Sequence, residues 1–370
     1  MMIKYDRNIP FNQLPLLPPP EGKVITIDIL QALNKANKAL AELKGLAKRL
    51  PNQSMLVNTI ALRESKTSTE IENIFTTDDD LYKAITIEES GLTGNAKEVL
   101  HYREALWKGI QELEKTKKIN PKIFIDIYRE IKQVQDGIRP NQSHTVIKKR
   151  GSGLLSGEVI YTPPKGIDLI QEKLNNLTEY INNDTKYPHD PLIKLAITHY
   201  QFEAIHPFRD GNGRVGRILN ILLMIQKQLL DFPILYLSAY IIREKDSYYH
   251  KLNSVSSRNS WQSWILYMLK AVEETSIYTI QKIEQIDSLF QTTKKLINNK
   301  LPHIRKEIIE KIFEQPYISP KSLLNDQVKS LNTAKKYLQQ MEEIGIMGTK
   351  KIGKEIIYIH LDLFNLLGEI

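Results

Sequence analysis

Residues 206–217 read His-Pro-Phe-Arg-Asp-Gly-Asn-Gly-Arg-Val-Gly-Arg, and the residue types explain one another. Gly211, Asn212 and Gly213 make a turn whose glycines permit backbone conformations that a Cβ forbids, so successive N–H groups can converge on an anion. The largely apolar run 218–225 reads as a helix, which puts that turn and Arg214 at a positive helix N-terminus. Arg214 and Arg217 are three apart, on one helix face, where two planar guanidiniums can grip phosphate oxygens. Asp210, at the mouth of this cradle, is the hard carboxylate that Mg²⁺ takes beside phosphates, because that ion keeps most of its waters. His206 has an ordinary pKa of about 6.5 and can accept a proton near neutrality. A base beside a magnesium polyphosphate points to nucleotidyl or phosphoryl transfer.

Those positions need elements to hold them. Asp190-Pro191 is a helix start ahead of His206, and the apolar run after Arg217 is the helix that follows. The segment resembles the Fic family signature, His-x-Phe-x-(Asp or Glu)-Gly-Asn-Gly-Arg-x-x-Arg, and matches it at every specified position. The resemblance implies a helical Fic core that binds ATP with Mg²⁺ and moves AMP onto a side-chain hydroxyl of a target protein, releasing pyrophosphate. On it, His206 deprotonates a Ser, Thr or Tyr of the target or of the chain itself, Phe208 anchors the core and Asp210 holds the metal. Gly211, Asn212, Gly213, Arg214, Val215, Gly216 and Arg217 form the ATP-binding run, with Arg217 on the γ-phosphate.

Further elements surround the signature. Residues 27–50 carry Leu33, Ala36, Leu40, Leu43 and Ala47 at helical spacing and stop at Pro51, behind a proline-rich arm at 10–20 that packs over the body. A second helix is predicted over 54–75, with Ser68, Thr69, Glu72 and Asn73 on its polar face. Ser68, Glu72 and Asn73 match the family's inhibitory pattern, (Ser or Thr)-x-x-x-Glu-(Gly or Asn). That resemblance implies a branch with the inhibitory helix on the N-terminal side, in which Glu72 pairs with Arg217 and occupies the γ-phosphate site. The alternative is an ordinary exposed helix glutamate.

Residues 144–150 and 158–162 are β-compatible around Gly151 to Gly157 and read as a hairpin. It resembles the Fic flap, onto which an extended target can add by main-chain pairing. After the signature, Tyr248-Tyr249 and Leu252 resemble the family's adenine pocket, with Tyr249 the best candidate. Residues 296–370 suggest a winged helix: helices at 304–313, 319–324 and 333–344, then a basic hairpin. Lys335, Lys336, Lys350, Lys351 and Lys354 could touch DNA phosphates, yet the reading helix offers Gln339, Gln340, Glu342 and Glu343 and no arginine for base edges. DNA binding and protein contacts, including a homodimer, both stay open.

Composition bounds the rest. The chain is 41% hydrophobic and 25% charged, an ordinary globular balance, and its net charge of +8 is spread among many acids. Zero cysteines exclude disulfides, thiolate metal sites and a cysteine nucleophile. The start lacks an apolar signal segment and no later run reaches membrane-spanning length, so a cytoplasmic protein is expected. The expected architecture is mostly α: an N-terminal arm and inhibitory-helix region (1–118), a helical Fic core with a short β-hairpin flap (119–270), a helical connector (271–295) and a C-terminal winged-helix domain (296–370). The function expected is ATP-dependent protein adenylyltransfer restrained by Glu72. Its rivals are Glu72-dependent AMP removal and a DNA-binding regulator with a nucleotide-sensing core.

Overall fold

Thr26 caps the first long helix by accepting from the Ile29 N–H at 3.3 Å, and Leu33, Ala36, Leu40, Leu43 and Ala47 all turn inward from it. The computed structural model describes residues 5–48, 53–86, 94–148, 157–352 and 355–368. In chain order its helices are α1 (Glu21–Val24), α2 (Ile27–Ala47), α3 (Gln53–Ile71), α4 (Asp78–Thr86), α5 (Gly94–Thr116), α6 (Pro121–Lys132), α7 (Ile167–Asn182) and α8 (Pro191–Ile205). They continue as α9 (Asn212–Gln226), α10 (Leu237–Arg243), α11 (Lys245–Arg258), α12 (Trp261–Lys300), α13 (Lys306–Lys311), α14 (Leu331–Glu343) and α15 (Leu361–Gly368). The strands are β1 (Ile147–Lys148), β2 (Val159–Tyr161), β3 (Tyr317–Ile318), β4 (Met347–Ile352) and β5 (Glu355–His360).

The catalytic-half core is built around α8, which is buried on every face from Leu192 to Ile205. Asp190 starts it by accepting from the Leu192 N–H at 2.8 Å, and Pro191 fills the first position, where no N–H is needed. α9 lies against α8, and Trp264 of α12 donates to the Ala196 carbonyl of α8 at 2.7 Å. Phe208, between α8 and α9, is fully buried and stacks on Tyr128 of α6 at 4.3 Å, as the anchor role requires. The proline-rich arm packs as expected: Phe11, Leu14 and Leu17 are buried, and Lys173 and Gln201 donate to the carbonyls of Leu14 and Pro15.

Several boundaries differ from the sequence reading. α3 ends at Ile71, so Glu72 and Asn73 lie beyond the helix rather than on its polar face. Ser68 and Thr69 are buried, not solvated. α12 runs unbroken through the positions where the core and connector were expected to part, packed along α2. At the C-terminal end, the expected middle helix is a 3₁₀ turn at Pro320–Leu323, with Ser319 accepting from Ser322 N. An additional short strand, β3, pairs with β5, which also pairs antiparallel with β4, giving the order β3-β5-β4, and α15 closes the chain. The hairpin over the site exists as β1 and β2, paired antiparallel from Ile147 to Tyr161 and from Lys148 to Val159. The tips of both expected hairpins, 149–156 and 353–354, and Pro51-Asn52 lie outside the described residues.

Candidate active site

His206 ends α8 in the left-handed conformation, φ 50°, which swings the chain out of the buried helix and into the signature loop. Its Nδ1 lies 3.3 Å from the Glu203 carbonyl, an oxygen that can only accept, so Nδ1 carries the proton and the Nε2 lone pair is left to act as a base. Burial, reinforced by the nearby Arg139 guanidinium, pushes its pKa down to about 4, so the ring is neutral at physiological pH. Arg139 holds the loop from behind. Its Nε donates to the His206 carbonyl at 2.8 Å, its N–H to Pro207 O at 2.9 Å, and its Nη2 to Pro164 O beyond the hairpin.

The glycine segment is tighter than the sequence suggests. Only Gly211 is a turn residue, at φ 76°, while Asn212 and Gly213 already form the first turn of α9. The Asn212 side chain does not face a ligand: it accepts from Phe208 N and donates to Phe208 O, both at 2.9 Å, bracing the loop. Val215 is core, and Gly216 lets Glu203 approach, since a Cβ there would sit 2.5 Å from Glu203 Oε1. Arg214 is therefore on the first turn of a fifteen-residue helix, where the N-terminal dipole reinforces its charge.

Arg217 and Glu72 are brought together from opposite ends of the fold. Arg217 Nη2 donates to Glu72 Oε1 at 3.0 Å and to the Ser68 carbonyl at 2.8 Å, and Nε donates to Ser68 Oγ at 2.7 Å. The end of α3 explains how Glu72 is aimed. Ile74 N bonds back to Thr69 O and Asn73 N to Glu70 O, a Schellman closure that requires the next residue in left-handed conformation; Asn73 supplies it at φ 64°. That is a physical reason for Gly or Asn in the last position of the inhibitory pattern. The Glu72 carboxylate then lies over the first turn of α9, so close that a Cβ on Gly213 would be 2.5 Å from Oε1. Burial works against the Arg217 charge, but the Glu72 carboxylate and neighbouring tyrosines raise its pKa above the ordinary value.

Other groups at the site carried no signal in the sequence reading. Arg214 is ion-paired with Glu98 of α5. Lys132 of α6 donates to Asp210 at 2.8 Å and, against the opposing effect of burial, holds that carboxyl below its usual range. Glu203 and Glu64 are buried carboxyls near Arg217. Burial raises both, Glu203 to about 8, while Glu64 accepts from Ser238 N at 2.9 Å. These residues are ordinary types on helices, and only their long-range neighbours mark them.

Tyr248 and Tyr249 divide their work. Tyr248 is buried, its hydroxyl 2.8 Å from His199 Nε2, whereas Tyr249 is half-buried and meets the Tyr248 ring edge-on at 5.1 Å. Tyr249 is thus the more accessible of the two rings. For a metal, Asp210 is a largely exposed carboxylate, and no cluster of three or more His, Cys, Asp or Glu exists among the described residues. A single hard ligand fits Mg²⁺, which completes its shell with water and phosphate oxygens, and does not fit an ion that needs an all-protein cage.

The Fic/DOC family N-terminal model matches residues 30–111, the Fic/DOC family model residues 104–224, and the C-terminal domain model of SoFic-like protein adenylyltransferases residues 289–363. Protein adenylyltransferase fic-1 of Caenorhabditis elegans is 28% identical over 152 residues, 40% of this chain and 27% of that protein. A probable protein adenylyltransferase of Aquifex aeolicus is 35% identical over 71 residues, 19% of this chain and 21% of its own length. The matches thus span about a quarter of these relatives. Among solved structures, a Fic family protein from Desulfovibrio desulfuricans superposes with TM-score 0.58 at 18% identity, covering 91% of this chain and 96% of that one. A fragment of C. elegans Fic-1 gives 0.51 at 19%, covering 70% and 74%. The N-terminal and core matches are contiguous and contain both Glu72 and the signature: the chain belongs to the Fic/DOC family.

Proposed function

We propose that the protein transfers AMP from ATP to a hydroxyl side chain of a target protein or of itself, and that Glu72 restrains the reaction. The observation that carries this reading is the Glu72 carboxylate seated on Arg217 above Gly213, where the phosphates of a nucleotide would lie. In the reaction, His206 Nε2 accepts the proton of the attacking hydroxyl as its oxygen bonds to the α-phosphorus. The bond from that phosphorus to the oxygen bridging to the β-phosphate breaks, and pyrophosphate leaves. The N-terminal N–H groups of α9, Arg214 and Arg217 stabilise the phosphate charge by fixed position. Asp210 would hold Mg²⁺, which supplies further charge neutralisation on the phosphates. Tyr249 would pack on the adenine. The names of the adenylyltransferase relatives support AMP as the transferred group.

The C-terminal unit is read as an accessory for protein contacts rather than DNA. Lys350, one of the cations expected to meet phosphates, is instead 2.7 Å from Asp79 of α4. Incubation with α-labelled ATP and Mg²⁺ tests the activity: label should become covalently attached to protein, and His206→Ala should abolish it. Labelling that persists in His206→Ala would remove the base assignment. Loss of AMP from pre-modified protein only when Glu72 is present would replace transfer with removal.

A further inference from the structure

We propose that the hydroxyl this protein modifies lies in an acidic extended segment, with a flanking Asp or Glu side chain seated between Arg209 and His144; this rests on the transfer reading above. A groove of about 500 Å³ runs between the segment leading into β1 and the signature loop, lined by Pro140, Gln142, His144 and Val146 on one side and Arg209 on the other. Among the described residues its charged lining group is Arg209, His144 adds a ring N–H donor, and no acid lines it. Arg209 and His144 are both exposed, and neither forms an ion pair among the described residues. Unpaired, solvent-facing guanidinium beside neutral polar groups is the chemistry that accepts a carboxylate.

The groove is fixed relative to the reacting group. Arg139 bonds the start of its wall to the carbonyls of His206 and Pro207, and Arg209 follows His206 by three residues. A side chain held there therefore belongs to a residue close to the attacked hydroxyl. The surrounding hairpin has the matching charge. Between residues 140 and 166 the sequence contains one acid, Glu158, against Lys148, Lys149, Arg150 and Lys165. Glu158 is itself neutralised by Arg7 at 2.6 Å. A target strand added to the β1–β2 pair would meet the exposed Lys148 of β1, which favours acidic sequences over basic ones.

The test uses the full chain carrying His206→Ala, so that binding is read without turnover. Short threonine peptides flanked by Glu, Gln or Lys are titrated by fluorescence anisotropy at low and high salt. The Glu peptide should bind roughly tenfold more tightly than the Gln peptide, with the margin shrinking in high salt. Arg209→Gln should reduce that margin, and Arg209→Glu should make the Lys peptide the preferred one, a gain that a misfolded variant could not show. Equal binding of the Glu and Gln peptides, absence of binding by any of them, or a preference unaltered in both variants would overturn the proposal. Covalent self-labelling by Glu72→Gly protein reports AMP transfer separately, so its failure with the peptide preference intact would sink only the transfer reading.

Discussion

At the scale of single residues, twelve consecutive positions made the chemistry legible because each type restricts the role of the next. The same reading missed Glu98, Lys132 and Glu203, because a carboxylate or cation on a helix looks alike whether it meets water or, 116 positions away, Arg214, and it missed Arg139, whose partners are backbone carbonyls distant in sequence. Glu98 has a defined consequence. Its carboxylate holds Arg214 Nη1, and Nη2 faces Gly211, so Glu98 orients the guanidinium toward the turn. In a Glu72→Gly background, Glu98→Ala should raise KM for ATP roughly five- to tenfold with kcat little changed, and Glu98→Gln should recover part of it. A lower KM in steady-state labelling would instead make Glu98 a competitor of the phosphates. His206 gives a pH prediction. Its pKa lies near 4 in the native protein and near 6.5 in an unfolded chain. Between these values the unfolded state binds the extra proton, so this residue's contribution to stability is fully present above 6.5 and falls as the pH drops through 4. The same shift should leave the base competent down to about pH 5, so a single-turnover rate that halves near 6.5 would contradict the assigned environment.

At the scale of elements, caps were the readable part. Asp190-Pro191 starts α8 where the sequence predicts, apolar spacing marked the inward face of α2, and the apolar run 218–225 marked the buried α9. The end of α3 was not readable from periodicity, since Glu72 continues the helical pattern of polar residues and only the left-handed Asn73 stops it. That cap sets the backbone from which Glu72 reaches Arg217. Asn73→Gly should preserve it, whereas Asn73→Val, strained at φ 64°, should cost roughly 1–2 kcal/mol locally and raise basal labelling while Glu72 is still present. Unchanged labelling in Asn73→Val would show that Glu72 is aimed by something else. Gly213→Ala separates lock from cradle. Its Cβ would press on both Glu72 Oε1 and Arg217 Nη1, so Glu72 should be displaced without activation, because the first turn of α9 is obstructed for phosphate as well. Labelling as high as that of Glu72→Gly would contradict this.

At the scale of the whole molecule, the C-terminal sheet packs on α3, α4 and α5, which no local pattern announced. Leu62 of α3, Leu81 and Tyr82 of α4 and Val99 of α5 share an apolar cluster with Tyr317 and Ile357 of the sheet. Tyr82 stacks on Tyr317 at 5.4 Å, and Asp79 receives the Tyr317 hydroxyl at 2.6 Å and Lys350 at 2.7 Å. α4 begins six residues after Glu72, and Asp78 is bound back to Lys66 of α3 at 2.8 Å. The sheet thus packs against the elements on either side of Glu72, a contact that needs no nucleic acid. Tyr317→Ala should loosen α4, seen as faster amide exchange over residues 72–86, and raise basal labelling in the full chain. Faster exchange without added labelling would show that the buttress and the lock are uncoupled. If Glu72 on Arg217 keeps ATP from a competent site, the ratio of labelling rates between Glu72→Gly and the unaltered protein reads it. The expected ratio is roughly tenfold or more, since Glu72→Gly frees Arg217 for phosphate. A ratio of one, or a slower Glu72→Gly protein, would contradict it.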